Sequence, residues 1–243
     1  MNLVTSRAQT LTLPDETAIA EHFADPTSWE GQILEQLEEF PYGFINGENL
    51  IGFDLGANIG LFALHIQDRC RQLVCVEPTP SHFSILTRMT SAYPNITNCQ
   101  IAVADYNGEI DLSLFPQNLT MNCTIGVAEA FPDRQTVRVT CRTLAALIMR
   151  DFNLSHVDFV KMDIEGAEES VMVETQIAPL KDIVKGFYVE CHQVRPNPVQ
   201  EGRDLMAGIA AQRHDLRMKI KHMLSQLGYK AELIRHDAVW ASK

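Results

Sequence analysis

Residues 50–60 read Leu-Ile-Gly-Phe-Asp-Leu-Gly-Ala-Asn-Ile-Gly, a short apolar run that stops at a glycine and gives way to helical spacing. No other segment limits the fold so tightly. The run is long enough for a buried strand and too short for a buried helix, and Gly56 permits a sharp turn behind it. A helix is expected from that turn to about residue 67. Residues 72–77 (Gln-Leu-Val-Cys-Val-Glu) form a second apolar run, stopped by Pro78 and Pro80. Ser81 is then the expected cap of a helix reaching about residue 92. Strand, helix, strand, helix at this spacing implies parallel pairing, because parallel strands need a crossover between them.

The pattern continues along the chain. A third strand is expected over 96–103 and a β excursion over 105–141, with Asn107-Gly108 as a hairpin signal. A helix over 144–150 leads to a fourth core strand at 156–164. Gly166 opens a helix through about 173, and a fifth strand spans 184–192. After a polar stretch at 193–204, residues 205–227 read as one long amphipathic helix, followed by strands at 229–234 and 238–241. The fold class is therefore α/β, a Rossmann-like doubly wound sheet with helices on both faces. Residues 1–48 are expected to be an N-terminal helical segment covering the site, with a helix at 29–40 closed by Pro41. Residues 49–243 are expected to be one unit, with the 105–141 excursion and a helical insertion at 193–227.

Charge and composition narrow the partners. A formal charge of −11 repels phosphate backbones and anionic membranes, so neither nucleic acid nor membrane is an expected partner. The six cysteines include no CxxC pair, so neither a disulfide framework nor a zinc site is expected. The N-terminal residues contain no apolar signal core, and no run is long enough to span a bilayer, so a cytoplasmic protein is expected. The 205–227 helix could serve as a homodimer surface or a lid.

Open α/β sheets bind ligands beyond the carboxyl ends of their strands. Here the first strand ends in Asp54-Leu55-Gly56-Ala57-Asn58-Ile59-Gly60. The glycines let a ligand approach the backbone, and N–H groups at the following helix start are expected to point outward toward an anionic group. The spacing Gly-x-x-x-Gly lacks the longer Gly-x-Gly-x-x-Gly of dinucleotide sites. Asp54 favours a cationic group, and Glu77, ending the second strand, suits ribose hydroxyls. An amine, a carboxylate and a ribose together describe a nucleoside bearing an amino acid.

Three motifs now fall in order: Phe53-Asp-Leu-Gly-Ala-Asn-Ile-Gly, Val76-Glu-Pro-Thr-Pro, and Val160-Lys-Met-Asp-Ile-Glu-Gly-Ala-Glu. With Tyr188-Val-Glu-Cys-His they resemble the FkbM family of S-adenosylmethionine-dependent methyltransferases over roughly residues 45–240. The resemblance implies a class I methyltransferase fold of seven strands with the last antiparallel. It implies that Asp54, Gly56, Ala57, Asn58, Gly60 and Asp163 line the S-adenosylmethionine site and that Glu77 holds the ribose. Ala102, with Asp105 as the alternative, matches the segment near the adenine.

The acceptor is expected to be a small molecule, and a hydroxyl acceptor must lose a proton during transfer. Lys161, Asp163 and Glu165 share one strand face by alternation, and Glu190 and His192 share another. Asp163, His192, Lys161 and Glu190 are the catalytic candidates, with His192 the natural base and Asp163 a second base or a metal ligand. Lys161 could equally pair with Asp163 or Glu190, and Glu165 could cap the helix at Gly166. A divalent metal is admissible, although no two-His or paired-carboxylate spacing specifies one. N-methylation, a nicotinamide-dependent oxidoreductase and a non-catalytic S-adenosylmethionine-binding module are the rival readings.

Overall fold

The computed structural model describes residues 2–4, 10–13, 15, 17, 45–114, 135–192, 203–234 and 237–243, with side chains in the 203–226 helix described from Gln212 onward. The expected helix at 29–40 and the polar stretches 116–132 and 193–202 lie outside the described residues.

Twelve strands are described: β1 (Asn2–Val4), β2 (Thr10–Thr12), β3 (Leu50–Leu55), β4 (Cys70–Val76), β5 (Ile96–Cys99), β6 (Ala102–Val103), β7 (Gly108–Leu114), β8 (Gln135–Arg142), β9 (Phe159–Met162), β10 (Gly186–Glu190), β11 (Lys230–Ile234) and β12 (Ala238–Ser242). Seven form the main sheet in the order β11-β12-β10-β9-β3-β4-β5. β3 with β4, β4 with β5 and β9 with β10 pair parallel, whereas β12 runs antiparallel to both its neighbours. This is the expected α/β sheet with its last strand reversed. Two compact units are present, Met1–Gln100 and Ile101–Lys243.

In the first unit every position of β3 is buried, as a parallel strand covered on both faces requires. Helix α1 (Leu61–Ile66) follows Gly60, and α2 (Pro80–Thr90) follows β4. The cap of α2 is Thr79; Ser81 lies within the helix. Pro80 explains the earlier start, because a first-turn proline lacks only an N–H that the helix would leave unpaired. Gly60 adopts φ +92°, and a Cβ there would sit 2.8 Å from Leu86 Cδ1. Gly60→Ala is expected to cost about 2–4 kcal/mol, combining left-handed strain with overpacking. Gly228, at φ +89° with nothing within 4 Å, isolates the strain alone. Gly228→Ala should therefore cost about 1 kcal/mol, and urea midpoints of the two variants measure the difference.

The second unit corrects two sequence expectations. The strand expected over 96–103 is broken: β5 ends at Cys99, and β6 joins a separate three-stranded sheet of order β6-β8-β7. Asn107-Gly108 does not form a hairpin turn between paired strands, since β8 lies between β6 and β7. Alternation decides this pairing. Leu112, Val139 and Cys141, with Ala102 and Ala104, bury one apolar face, and Ile110, Leu114 and Val137 pack against it. A two-residue turn would have to give up that register.

The helix expected over 144–150 is a π-helical turn at Ala146–Asp151, with the Phe152 N–H donating five residues back to the Leu147 carbonyl at 3.1 Å. Helix α5 (Arg203–Gln226) matches the long amphipathic segment. Behind it, the Tyr229 hydroxyl donates to the Val184 carbonyl at 2.7 Å, and its ring meets Phe187 edge-on. No helix among the described residues is long and apolar enough to cross a membrane.

Candidate active site

In the first unit the chemistry gathers at the carboxyl ends of β3 and β4. Asp54 is fully buried near the end of β3. The chain then turns through left-handed conformations at Gly56 (φ 79°), Asn58 (φ 49°) and Gly60 (φ 92°). Gly56 and Ala57 donate their N–H groups to the Val76 carbonyl at 2.9 and 3.0 Å, and Gly60 N–H donates to the Ala57 carbonyl at 2.8 Å. Asn58 N–H donates to Glu77 Oε2 at 2.9 Å, and Thr79 N–H donates to Glu77 Oε1 at 2.8 Å.

These bonds occupy the N–H groups of Gly56, Ala57, Asn58 and Gly60 within the protein. The turn uses its donors at 56, 57 and 58 to clamp itself onto Val76 and Glu77 at the end of β4, and the donor at 60 closes on the turn's own Ala57 carbonyl. What it offers is acceptors: the buried carboxylates of Asp54 and Glu77, and the buried Asn58 Oδ1, which has no hydrogen-bond partner among the described residues. Burial pushes the Glu77 carboxyl above its ordinary range, opposed by the donors at Thr79 and Asn58, with the Asp54 charge pushing it further up. Such a surface selects hydroxyl and ammonium donors.

In the second unit Lys161, 3% exposed, donates from Nζ to Asp163 Oδ2 at 3.2 Å, the pairing that strand alternation allows. Beyond β9 the chain reverses through Glu165 (φ 51°) and Gly166 (φ 105°). The helix expected to open at Gly166 therefore starts later, as the short α3 (Glu168–Val171), followed by α4 (Glu174–Ile177). Glu165 does not cap it. Glu168, the first residue of α3, instead accepts from the reversal that precedes the helix, Ile164 N–H at 3.0 Å and Gly166 N–H at 2.8 Å, and α3 has no side-chain cap.

His192 follows β10, with Nδ1 2.9 Å from Glu168 Oε1 and Nε2 3.6 Å from Asp163 Oδ1. The Tyr188 hydroxyl donates to Glu190 Oε1 at 3.1 Å. Burial raises Glu165 to about 8 against the pull of His192, with the charges of Asp163, Glu168 and Glu190 adding to the rise. Glu190 is raised to about 7, again chiefly by burial, with Asp163 raising it and Lys161 lowering it. Burial alone would lower His192, but Glu168, Asp163 and Glu165 together hold it well above 6.5. The ring therefore carries a second proton near neutral pH, and it becomes a base only as the pH rises. Asp163, Glu165 and His192 each bring one ligand atom within 4.8 Å of the others, a grouping whose donors suit a divalent cation.

The model of the methyltransferase FkbM domain matches residues 54–231 of this chain. The chain belongs to the FkbM methyltransferase family. It is 27% identical over 150 residues to methyltransferase sdnD of Sordaria araneosa, an alignment covering 49% of this chain and 58% of that protein. The chain thus spans less than two thirds of that curated relative's length. Among solved structures, the FkbM methyltransferase of Methylobacillus flagellatus KT aligns at 16% identity and TM-score 0.47, covering 94% of this chain and 58% of that one. Fibrillarin of Aeropyrum pernix, solved with natively bound S-adenosyl-L-methionine, aligns at 11% identity and TM-score 0.42, covering 80% of this chain and 66% of that one.

Against the sequence expectations for this member of the FkbM methyltransferase family, Asp54, Gly56, Ala57, Asn58, Gly60 and Glu77 are gathered in the first unit. Asp163, Lys161, Glu190 and His192 are gathered in the second. Ala102 is 2% exposed within the core of the three-stranded sheet, and Asp105 is exposed, its carbonyl accepting from Gln176 Nε2 at 2.9 Å. Glu168 escaped the sequence reading. Its signal was its place in Ile-Glu-Gly-Ala-Glu, where the glycine allows the reversal that brings the last carboxylate back under the first residues.

Proposed function

We propose that this chain is an S-adenosylmethionine-dependent methyltransferase that methylates a hydroxyl of a small secondary-metabolite or sugar-type molecule. The observation that carries the cofactor reading is the acceptor-rich turn, above all the buried Asn58 Oδ1 and the Glu77 carboxylate. Those atoms fit the ammonium and ribose hydroxyls of an adenosyl amino acid. Asp54, Asn58 and Glu77 would hold the cofactor, with Gly56 and Gly60 keeping the turn's backbone free of side-chain bulk. Bound S-adenosylmethionine supplies a methyl group on an electrophilic sulfonium.

The rest of the chemistry belongs to this chain's own residues. An alcohol must shed a proton as its oxygen becomes bonded, whereas an amine needs less help. The second unit concentrates proton acceptors for that task. In the neutral ring, His192 Nε2 takes the hydroxyl proton, with Asp163 Oδ1 3.6 Å away to favour the resulting imidazolium. Lys161 holds the other Asp163 oxygen, so that carboxylate keeps one orientation. Glu190, raised to about 7, is a second group able to exchange a proton near neutrality.

S-adenosylhomocysteine release in the presence of a panel of hydroxyl- and amine-bearing metabolites tests this reading. Hydroxyl acceptors should turn over, at a rate that climbs as the pH rises above 6.5 and His192 loses its proton. His192→Gln should lower kcat by about 10²–10⁴-fold. Turnover confined to amines, unaffected by His192→Gln, would replace O-methylation with N-methylation.

A further inference from the structure

We propose that Glu168 is a positioning residue that fixes the ring of His192, keeping the hydrogen on Nδ1 and leaving Nε2 as the reactive nitrogen. The carboxylate is fully buried, and both of its oxygens are engaged by backbone. Oε1 accepts from Ile164 N–H at 3.0 Å, and Oε2 accepts from Gly166 N–H at 2.8 Å. Those donors sit on the rigid reversal formed by the left-handed Glu165 and Gly166, so the carboxylate plane cannot swing. Its remaining direction on Oε1 meets His192 Nδ1 at 2.9 Å. A carboxylate only accepts there, so Nδ1 must donate.

Neutral imidazole in water favours the opposite tautomer, with hydrogen on Nε2. A carboxylate bonded to the far nitrogen, which reverses this preference, is a recurrent way of aiming a reactive imidazole. At the other end of the ring, Nε2 is 3.6 Å from Asp163 Oδ1, outside hydrogen-bonding range. At that distance Asp163 acts on the ring through its charge, while Glu168 makes the hydrogen bond. Among the described residues, the charged groups that bear on the imidazole include Glu168 and Glu165 from the segment after β9, Asp163 from just beyond β9, and Glu190 from β10. Of these, Glu168 is held by two backbone donors and lies within 3 Å of the ring. The role given to His192 in proton removal rests on the proposed function, but the tautomer itself does not.

Nitrogen-detected NMR of histidine-labelled protein tests the assignment, with His192→Gln identifying the resonance among the eight histidines. On alkaline titration, the wild-type ring should lose its Nε2 proton and keep the Nδ1 hydrogen. Glu168→Gln should shift the neutral ring toward hydrogen on Nε2 and lower its titration midpoint. In the acceptor assay the same variant should lower kcat about 10–100-fold while leaving the KM for S-adenosylmethionine unchanged. A wild-type neutral ring with its hydrogen on Nε2 would overturn the proposal, even if Glu168→Gln failed to fold. So would an unchanged tautomer and midpoint in the folded variant. Absence of turnover with every acceptor, alongside the expected tautomer, would count against the functional reading and leave the positioning role standing.

Discussion

Glu77→Ala is expected to weaken S-adenosylmethionine binding at least about 100-fold, equivalent to roughly 2.7 kcal/mol, and to destabilise the first unit as well. The carboxylate has two duties. It accepts Asn58 N–H at 2.9 Å and Thr79 N–H at 2.8 Å, stapling the glycine turn to the end of β4. Its remaining lone pairs are what a ribose would use. Truncation leaves two backbone donors without their acceptor, at about 1–3 kcal/mol each where they are shielded from water. Glu77→Gln grades the two effects. The amide retains one accepting oxygen but turns a donor toward one of the N–H groups, so both losses should be intermediate. Calorimetric titration under conditions where each variant is fully folded, paired with urea unfolding, reads the two quantities independently. Full-strength binding by Glu77→Ala would remove Glu77 from the cofactor site.

Stability should fall as the pH is raised from 5 to 9, and Glu165→Gln should remove much of that fall. Glu165 titrates at about 8 in the folded protein against an ordinary 4.5, chiefly because of burial. A folded value above the unfolded one means that the folded state binds the proton more tightly. The associated stability is complete below 4.5 and is lost progressively as the pH rises toward about 8. His192 acts in the same direction, since its folded value also lies above 6.5. Glu190, raised to about 7, adds to the trend. The change attributable to Glu165 is of the order of 2–5 kcal/mol. A neutral glutamine carries no such charge to desolvate, so the variant should be more stable than wild type at pH 9 and nearly equal to it at pH 5. Urea unfolding at pH 5, 7 and 9 measures this. A wild-type stability that is flat or rising between pH 7 and 9 would contradict the electrostatics of the cluster.

The parts of this molecule that were legible in sequence share a physical cause. β3 and β4 bury nearly continuous apolar runs, and a parallel strand covered on both faces can be written in few other ways. Asp54 and Glu77 stand out because each interrupts or ends such a run, where a charge needs a reason. Glu190 ends β10, and His192 lies two residues on, beyond the strand that alternation gave to both. The failures came where non-local or left-handed geometry prevailed. Pairing of β6 with Cys141 and Arg142 joins residues far apart in the chain, and no local signal at Asn107-Gly108 reports it. The left-handed pair at 165 and 166 moved the helix start by two residues. That shift placed Glu168 where it accepts the Ile164 and Gly166 N–H groups and left Glu165 among the titrating groups. Sequence spacing likewise cannot show that Val76 and Glu77 engage the N–H groups of Gly56, Ala57 and Asn58 in the turn before α1.

The central claim is that the turn between β3 and α1, together with Glu77, binds an adenosyl amino acid. Calorimetric titration of the wild-type protein with S-adenosylmethionine, S-adenosylhomocysteine and NAD tests it most directly. The account predicts saturable micromolar binding of both adenosyl amino acids and none of NAD, which lacks the ammonium that Asp54 and Asn58 would receive. Binding of NAD, or of none of the three, would contradict it.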